Sequence, residues 1–292
     1  MKYSGEIIYS HEHTTIDLSG VKNDSDCNLN NKEQTIEEFK ELKAKNVSTI
    51  IDMTNRGMAR NVEYVNDVSE KSGMRILSAT GYYKEPFLPR EVYNLDENQL
   101  SNIMINEIIN GIDGTKIKAS VIGEIGTSLN KIEEMESKVL KAGCRAHIET
   151  GTPIVTHTTL GKLGKEQIEL FKYFSVDLSK VILSHIDLSG DIEYMKALLD
   201  TGVNIAFDTI GKNNYQPDEL RVKWLKELCS LGYSNQIVLS MDITRKSNFK
   251  QNGGIGYSYL IDTFLKMLDA VEINNKHMEN MLINNINKIY NL

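Results

Sequence analysis

The 292-residue sequence predicts an α/β fold in which eight parallel strands alternate with helices and close into a barrel. Three observations predict it. Short runs rich in β-branched residues recur eight times, longer segments of helical periodicity separate them, and metal-binding residue types stand at the ends of five runs. The runs cover residues 5–10, 47–53, 74–80, 117–123, 153–156, 180–184, 203–207 and 236–241. Helices are expected over 31–45, 61–71, 96–112, 132–149, 165–173, 192–200 and 218–231, where apolar residues such as Ile36, Phe39 and Leu42 recur at helical spacing. Two more follow the last strand, over 257–268 and 275–290, so the expected architecture is a (β/α)8 TIM barrel with an additional C-terminal helix. Gly73, Gly151, Gly202 and Gly232 stand where helices should stop before strands 3, 5, 7 and 8. No linker or repeat interrupts the pattern, and residues 1–292 read as a single domain.

At 40% hydrophobic content the chain can bury one large core. Its net charge of -7 argues against a nucleic-acid or anionic-membrane surface, because no cationic field would gather phosphates. Cys27, Cys144 and Cys229 are widely spaced and odd in number, so neither a disulfide framework nor a thiolate zinc site is expected. The N-terminal segment carries Glu6 early and no long apolar stretch, which predicts neither export nor a membrane span. A cytoplasmic protein is the expectation, and a homodimer is compatible with a barrel ringed by helices.

The chemistry sits at the strand ends. His11 and His13 flank Glu12 at the end of run 1, and side chains two apart on a strand share a face, so both imidazoles can meet one metal ion. Glu124, His157, His185 and Asp242 end runs 4, 5, 6 and 8, and barrel enzymes carry their active sites at that end. Four imidazoles and two carboxylates suit zinc, with manganese, iron or cobalt as other fits. His147 and His277 lie away from strand ends and read as structural. A single ion would need only His11, His13, one further histidine and Asp242. Glu124 then has a purpose if two divalent ions are present: His11, His13 and Asp242 hold one, His157 and His185 the other, and Glu124 bridges them. Such a pair leaves net positive charge, acidifies a shared water and favours a small anionic substrate, with Asp242 as catalytic proton acceptor.

The residues resemble the phosphotriesterase-like branch of the amidohydrolase superfamily, and within it the bacterial phosphotriesterase homology proteins. The resemblance spans the chain and rests on Ser10-His11-Glu12-His13, Gly81-Tyr82-Tyr83, Gly123-Glu124-Ile125-Gly126-Thr127-Ser128, Thr156-His157-Thr158, Ser184-His185, Phe207-Asp208-Thr209-Ile210-Gly211-Lys212 and Ser240-Met241-Asp242-Ile243-Thr244-Arg245. It implies a distorted barrel, a binuclear centre usually assigned as zinc, and hydrolase chemistry. Members that hydrolyse organophosphates or lactones typically bridge their metals with a carboxylated lysine where this chain has Glu124. The organophosphatases also pass protons to a histidine after strand 7, and no histidine lies between Asp208 and Asp242.

Lys212 and Arg245, after runs 7 and 8, are the expected anion-binding pair, with Tyr83, Arg56 and Asp208 as further substrate-side candidates. The leading expectation is a metal-dependent hydrolase of an ester bond in a lactone, another carboxylic ester or a phosphoester. A mononuclear amidohydrolase such as a deaminase, or a catalytically silent metal-binding regulatory protein, are the other readings.

Overall fold

The computed structural model describes residues 3–292; Met1 and Lys2, which open the predicted domain and the N-terminal segment read as unexported, lie outside the described residues. Eight strands follow one another in chain order around a single parallel sheet. They are β1 (Ile7–Glu12), β2 (Val47–Asp52), β3 (Arg75–Thr80), β4 (Ala119–Thr127), β5 (Ile154–Thr158), β6 (Val181–Ser184), β7 (Asn204–Phe207) and β8 (Ile237–Leu239). The connecting helices are α1 (Lys32–Ala44), α2 (Val62–Ser72), α3 (Glu97–Ile109), α4 (Glu134–Thr150), α5 (Gly164–Tyr173), α6 (Ile192–Leu199) and α7 (Asp218–Ser230). This is the (β/α)8 TIM barrel predicted from the periodicity. No helix among the described residues is long and apolar enough to cross a membrane.

Local signals account for several boundaries. Asp96 and Gln99 form a reciprocal cap that starts α3, and Gly73 and Gly151 end α2 and α4 at φ of 71° and 69°, where a side chain would be strained. The two expected helices at the C-terminal end both contain a π-helical turn, Leu260–Phe264 before Leu265–Ala270 and Asn280–Asn284 between Asn275–Glu279 and Asn285–Tyr290. The loop after β1, for which the sequence predicts no element, folds into an antiparallel ribbon of Ile16–Asp17 with Asn28–Leu29, and the short helix Ser19–Lys22 lies between its strands.

Two apolar layers hold the barrel. Its interior is filled by Ile8, Ile51, Ala79, Val121, Val155, Ile182, Ala206 and Val238, one from each strand, and Ile286 and Ile289 of the last helix pack onto this cluster. The second layer lies between strands and helices and includes Ile7, Tyr9, Ile122 and Ile125 with Ile36, Phe39 and Leu42 of α1. The seam between β8 and β1 is bridged by Ser10 Oγ donating to Leu239 O, the His11 N–H donating to Ser240 Oγ, and the Asp242 N–H donating to His11 O, at 3.1, 3.1 and 3.2 Å.

The two layers disclose how the mouth is made. In β1 the even-numbered Ile8 faces inward, yet the odd-numbered His11 and His13 reach the mouth, because the pairing with β2 slips between Tyr9 and Glu12. In β4 the odd-numbered Val121 faces inward and Glu124 does too, through a second slip between Ile122 and Ile125. A one-residue slip exchanges the faces of a strand.

Candidate metal centre and active site

The two slips and the ends of β5, β6 and β8 gather six side chains, of which all but His11 line a cleft of about 710 Å³, counted to its open mouth. Three ligand groups lie within metal-chelating reach: His11, His13 and Glu124; Glu124, His157 and His185; and His11, His185 and Asp208. Gly123 and Gly126, on either side of Glu124, permit the close packing of β4 on β5. A Cβ at these positions would stand 2.5 Å from Val155 O and 2.8 Å from His157 Cβ. His185 and Asp242 both adopt left-handed backbone, at φ of 61° and 50°, a strained conformation for residues with a Cβ that often marks functional sites.

Hydrogen bonds fix which nitrogen of each imidazole points inward. The Thr54 hydroxyl donates to Thr15 O, so at His13 Nδ1, 2.8 Å away, it can only accept; the His13 proton is on Nδ1. Thr159 likewise donates to Thr127 O and accepts from His157 Nε2 at 3.2 Å. Asp208 accepts from the backbone N–H and Nδ1 of His185, at 2.9 and 2.8 Å, and its other oxygen lies 3.3 Å from His11 Nδ1. Each ring therefore turns a lone pair inward. Those lone pairs face carboxylate oxygens: His13 Nε2 is 3.3 Å from Asp242 Oδ1, while His157 Nδ1 and His185 Nε2 are 3.1 and 3.5 Å from Glu124 Oε2. His11 Nε2 and His13 Nε2 are buried without a hydrogen-bond partner.

Lone pairs facing anions repel unless a cation lies between them. Donors bound to one tetrahedral zinc at about 2.0–2.1 Å stand roughly 3.3–3.4 Å apart; the spacings here run from 3.1 to 3.8 Å and bracket that value. The residues present thus fit divalent metal ions. The electrostatics agree: against burial, Asp208, Glu124 and Asp242 push His185 well above its usual range, and Glu124, Asp208 and Asp242 also raise His11 despite burial. Burial holds His157 down to about 4. Although burial opposes it, the imidazoles keep Glu124 and Asp208 well below the ordinary carboxylate range.

The predicted substrate residues divide. Tyr83 lines the cleft, its hydroxyl 3.2 Å from His157 Nδ1, and Lys212 lines it with Nζ 2.5 Å from Asp242 Oδ2. Arg56 does not: it pairs with Glu91, Glu107 and Asp113 at 2.7, 2.9 and 3.1 Å and borders a separate cleft. Arg245 is turned away as well, bound to Asp24 at 2.7 Å and near Asp26 at 3.6 Å. Asp208 is wholly buried behind His11 and His185, so its contact is with ligands rather than substrate. His147 and His277 bond to Thr152 O and Ser234 Oγ, structural roles as expected.

Several functional residues escape the sequence reading. Glu12, wholly buried, accepts from Ser240 Oγ and the N–H groups of Met241 and Ile243, which fastens the loop bearing Asp242 to β1. Burial pushes its carboxyl up to about 7 while these donors pull the other way. Asn55 donates to Glu124 O at 2.8 Å and steadies the slip in β4. Glu12 carries one sequence signal, a carboxylate between two candidate ligands, whereas Asn55, after the second run and beside no candidate ligand, carries none.

Comparison with known proteins finds relatives along nearly the whole chain. The profile of the Phosphotriesterase family matches residues 5–290. The phosphotriesterase homology protein of Escherichia coli is 42% identical over 281 residues, 96% of each chain. Its crystal structure, with phosphate in the active site, superposes with a TM-score of 0.96 over 99% of this chain and 100% of that one. An N-acetyltaurine hydrolase of Dictyostelium discoideum is 31% identical, covering 90% of this chain and 74% of that protein. A lactonase of Listeria monocytogenes is 27% identical with a TM-score of 0.92, over 98% of this chain and 94% of that one.

Proposed function

The chain belongs to the phosphotriesterase family of metal-dependent hydrolases, and from that membership and the site geometry we propose a hydrolase using two divalent cations, zinc by ligand type, on a small anionic substrate. The bond cleaved is that of a lactone or other carboxylic ester, and the N-acetyltaurine hydrolase relatives extend this to amides. Four inward lone pairs confronting two carboxylates carry the reading. His11, His13 and Asp242 would hold one cation, His157 and His185 the other, and Glu124 would touch both. When bound, such cations polarise the scissile group and make water a nucleophile near neutral pH.

The chain's own residues supply the rest. Asp242 accepts the proton of the attacking water; Lys212 and the imidazoles keep its carboxyl ionised against the pull of burial. Ile16, Leu18, Leu160 and Leu188 line the cleft and limit bulk water around the reacting bond.

The test is a panel of lactones, carboxylic esters, N-acyl amides and phosphoesters offered to metal-loaded protein. Acyl hydrolysis that chelation abolishes and zinc, manganese or cobalt restores is the expected result. Turnover insensitive to chelation, or cleavage of phosphoesters alone, would contradict it.

A further inference from the structure

Two ammonium groups line the cleft, Lys212 and Lys22, and only Lys212 is committed to a carboxylate, Asp242. Lys22 ends the short helix Ser19–Lys22, is exposed, and makes no ion pair with a described residue. An exposed lysine is ordinary on most surfaces. This one is held in place by the loop around it. Asn23 closes its helix in left-handed conformation, its N–H returning to Ser19 O, and Asp17 accepts from both the backbone N–H and the hydroxyl of Ser19 at 2.9 and 2.6 Å. The following turn is clasped to the loop after β8: Arg245 Nη1 lies 2.7 Å from Asp24 Oδ2, and Ser247 donates to both oxygens of Asp26 at 2.8 and 2.6 Å.

A second lysine, Lys84, lies near enough to feel the charge of Lys22. Lys84, from the loop after β3, has no carboxylate partner among the described residues; its Nζ donates to Glu85 O and lies 5.7 and 5.6 Å from the rings of Tyr83 and Phe87. Burial depresses its ammonium below the usual lysine range; Glu136 and Glu124 oppose this, and the charge of Lys22 adds to it. A protein of net charge -7 thus keeps in the lining of its cleft one ammonium, that of Lys22, with no ion pair to a described residue.

We propose that Lys22 determines specificity by pairing with the anionic end of the substrate, and that the Arg245–Asp24 and Ser247–Asp26 clasp holds it there as a positioning device. The proposal rests on the hydrolase reading above and adds to it the side chain that reads the substrate's charge; the N-acetyltaurine hydrolase relatives suggest an acyl ester or amide ending in a carboxylate, sulfonate or phosphate as the probe. The arginine predicted to read the anion then acts one step removed, through Asp24.

The experiment uses metal-loaded protein and acetyl amides and esters on a two-carbon spacer, ending in carboxylate, sulfonate or phosphate, each compared with the neutral carboxamide. Calorimetric binding to the wild type should favour at least one anion by roughly tenfold or more, the worth of a charge-assisted contact. Lys22→Gln should erase that preference, the loss falling on the anionic ligands far more than on the neutral carboxamide. Lys22→Arg should keep it, and Arg245→Gln should reduce it. A preference that survives Lys22→Gln, or a wild type with no anion preference, overturns the proposal. Lys22-dependent binding without turnover would uphold it and sink the hydrolase reading; turnover of an anionic acyl compound that ignores Lys22→Gln would do the reverse.

Discussion

An imidazole can bind a cation only through the nitrogen that lacks a proton, so the residues that receive the other N–H matter as much as the ligands. Asp208 does this for His185, and its second oxygen faces His11 Nδ1. Asp208→Asn should keep the fold but weaken metal affinity by about 10- to 100-fold, the usual cost of losing such a partner, in competition with a chromophoric chelator. Affinity equal to wild type would remove Asp208 from that role. Asp242→Asn should abolish turnover in a folded protein, because the amide can offer an oxygen but cannot take a proton; activity within a few-fold of wild type would assign proton transfer elsewhere. The cluster of His11, His13, Glu124, His157, His185 and Asp242 was legible because imidazoles and carboxylates at strand ends have few other uses. Arg56 and Arg245 misled because the chain holds 40 acidic residues against 33 basic ones, and nearby loop aspartates and glutamates capture exposed arginines.

At the scale of elements, eight runs of β-branched residues were enough to place eight strands, and glycine stops were enough to end several helices. The slips in β1 and β4 were not readable. Period-two spacing says that His11 and His13 share a face, but the choice of face depends on pairing with β2, which no local pattern encodes. The ribbon and short helix after β1 were missed for a similar reason: two-residue strands carry no periodicity. Glu12 links these levels, since it secures the loop after β8 against β1 with three accepted hydrogen bonds. Glu12→Gln would turn an amide toward one of those donors, leaving it unsatisfied in a buried site, at a cost of about 1–3 kcal/mol. Denaturant unfolding of the metal-loaded protein measures this; a change below about 0.5 kcal/mol would mean that the clamp is dispensable.

For the whole molecule, the metals and the fold should be coupled through protons. His11 and His185 have raised pKa values in the folded chain, so without metal the stability they contribute is full below the unfolded histidine value of about 6.5 and is lost as pH rises through their folded values. His157, held down to about 4 mainly by burial, costs stability only on the acid side, as pH falls below about 6.5. Chelated protein should therefore melt at lower temperature as pH is raised from neutrality, whereas metal-loaded protein, with cations in place of those protons, should stay level over the same range. Parallel melting curves for the two forms would break this link. Elemental analysis of wild type and Glu124→Ala, each loaded with zinc and freed of excess, tests most directly the proposed sharing of Glu124 between two cations. Two ions per wild-type chain and at most one per folded variant chain are predicted; one ion in the wild type, or two retained by the variant, would contradict it.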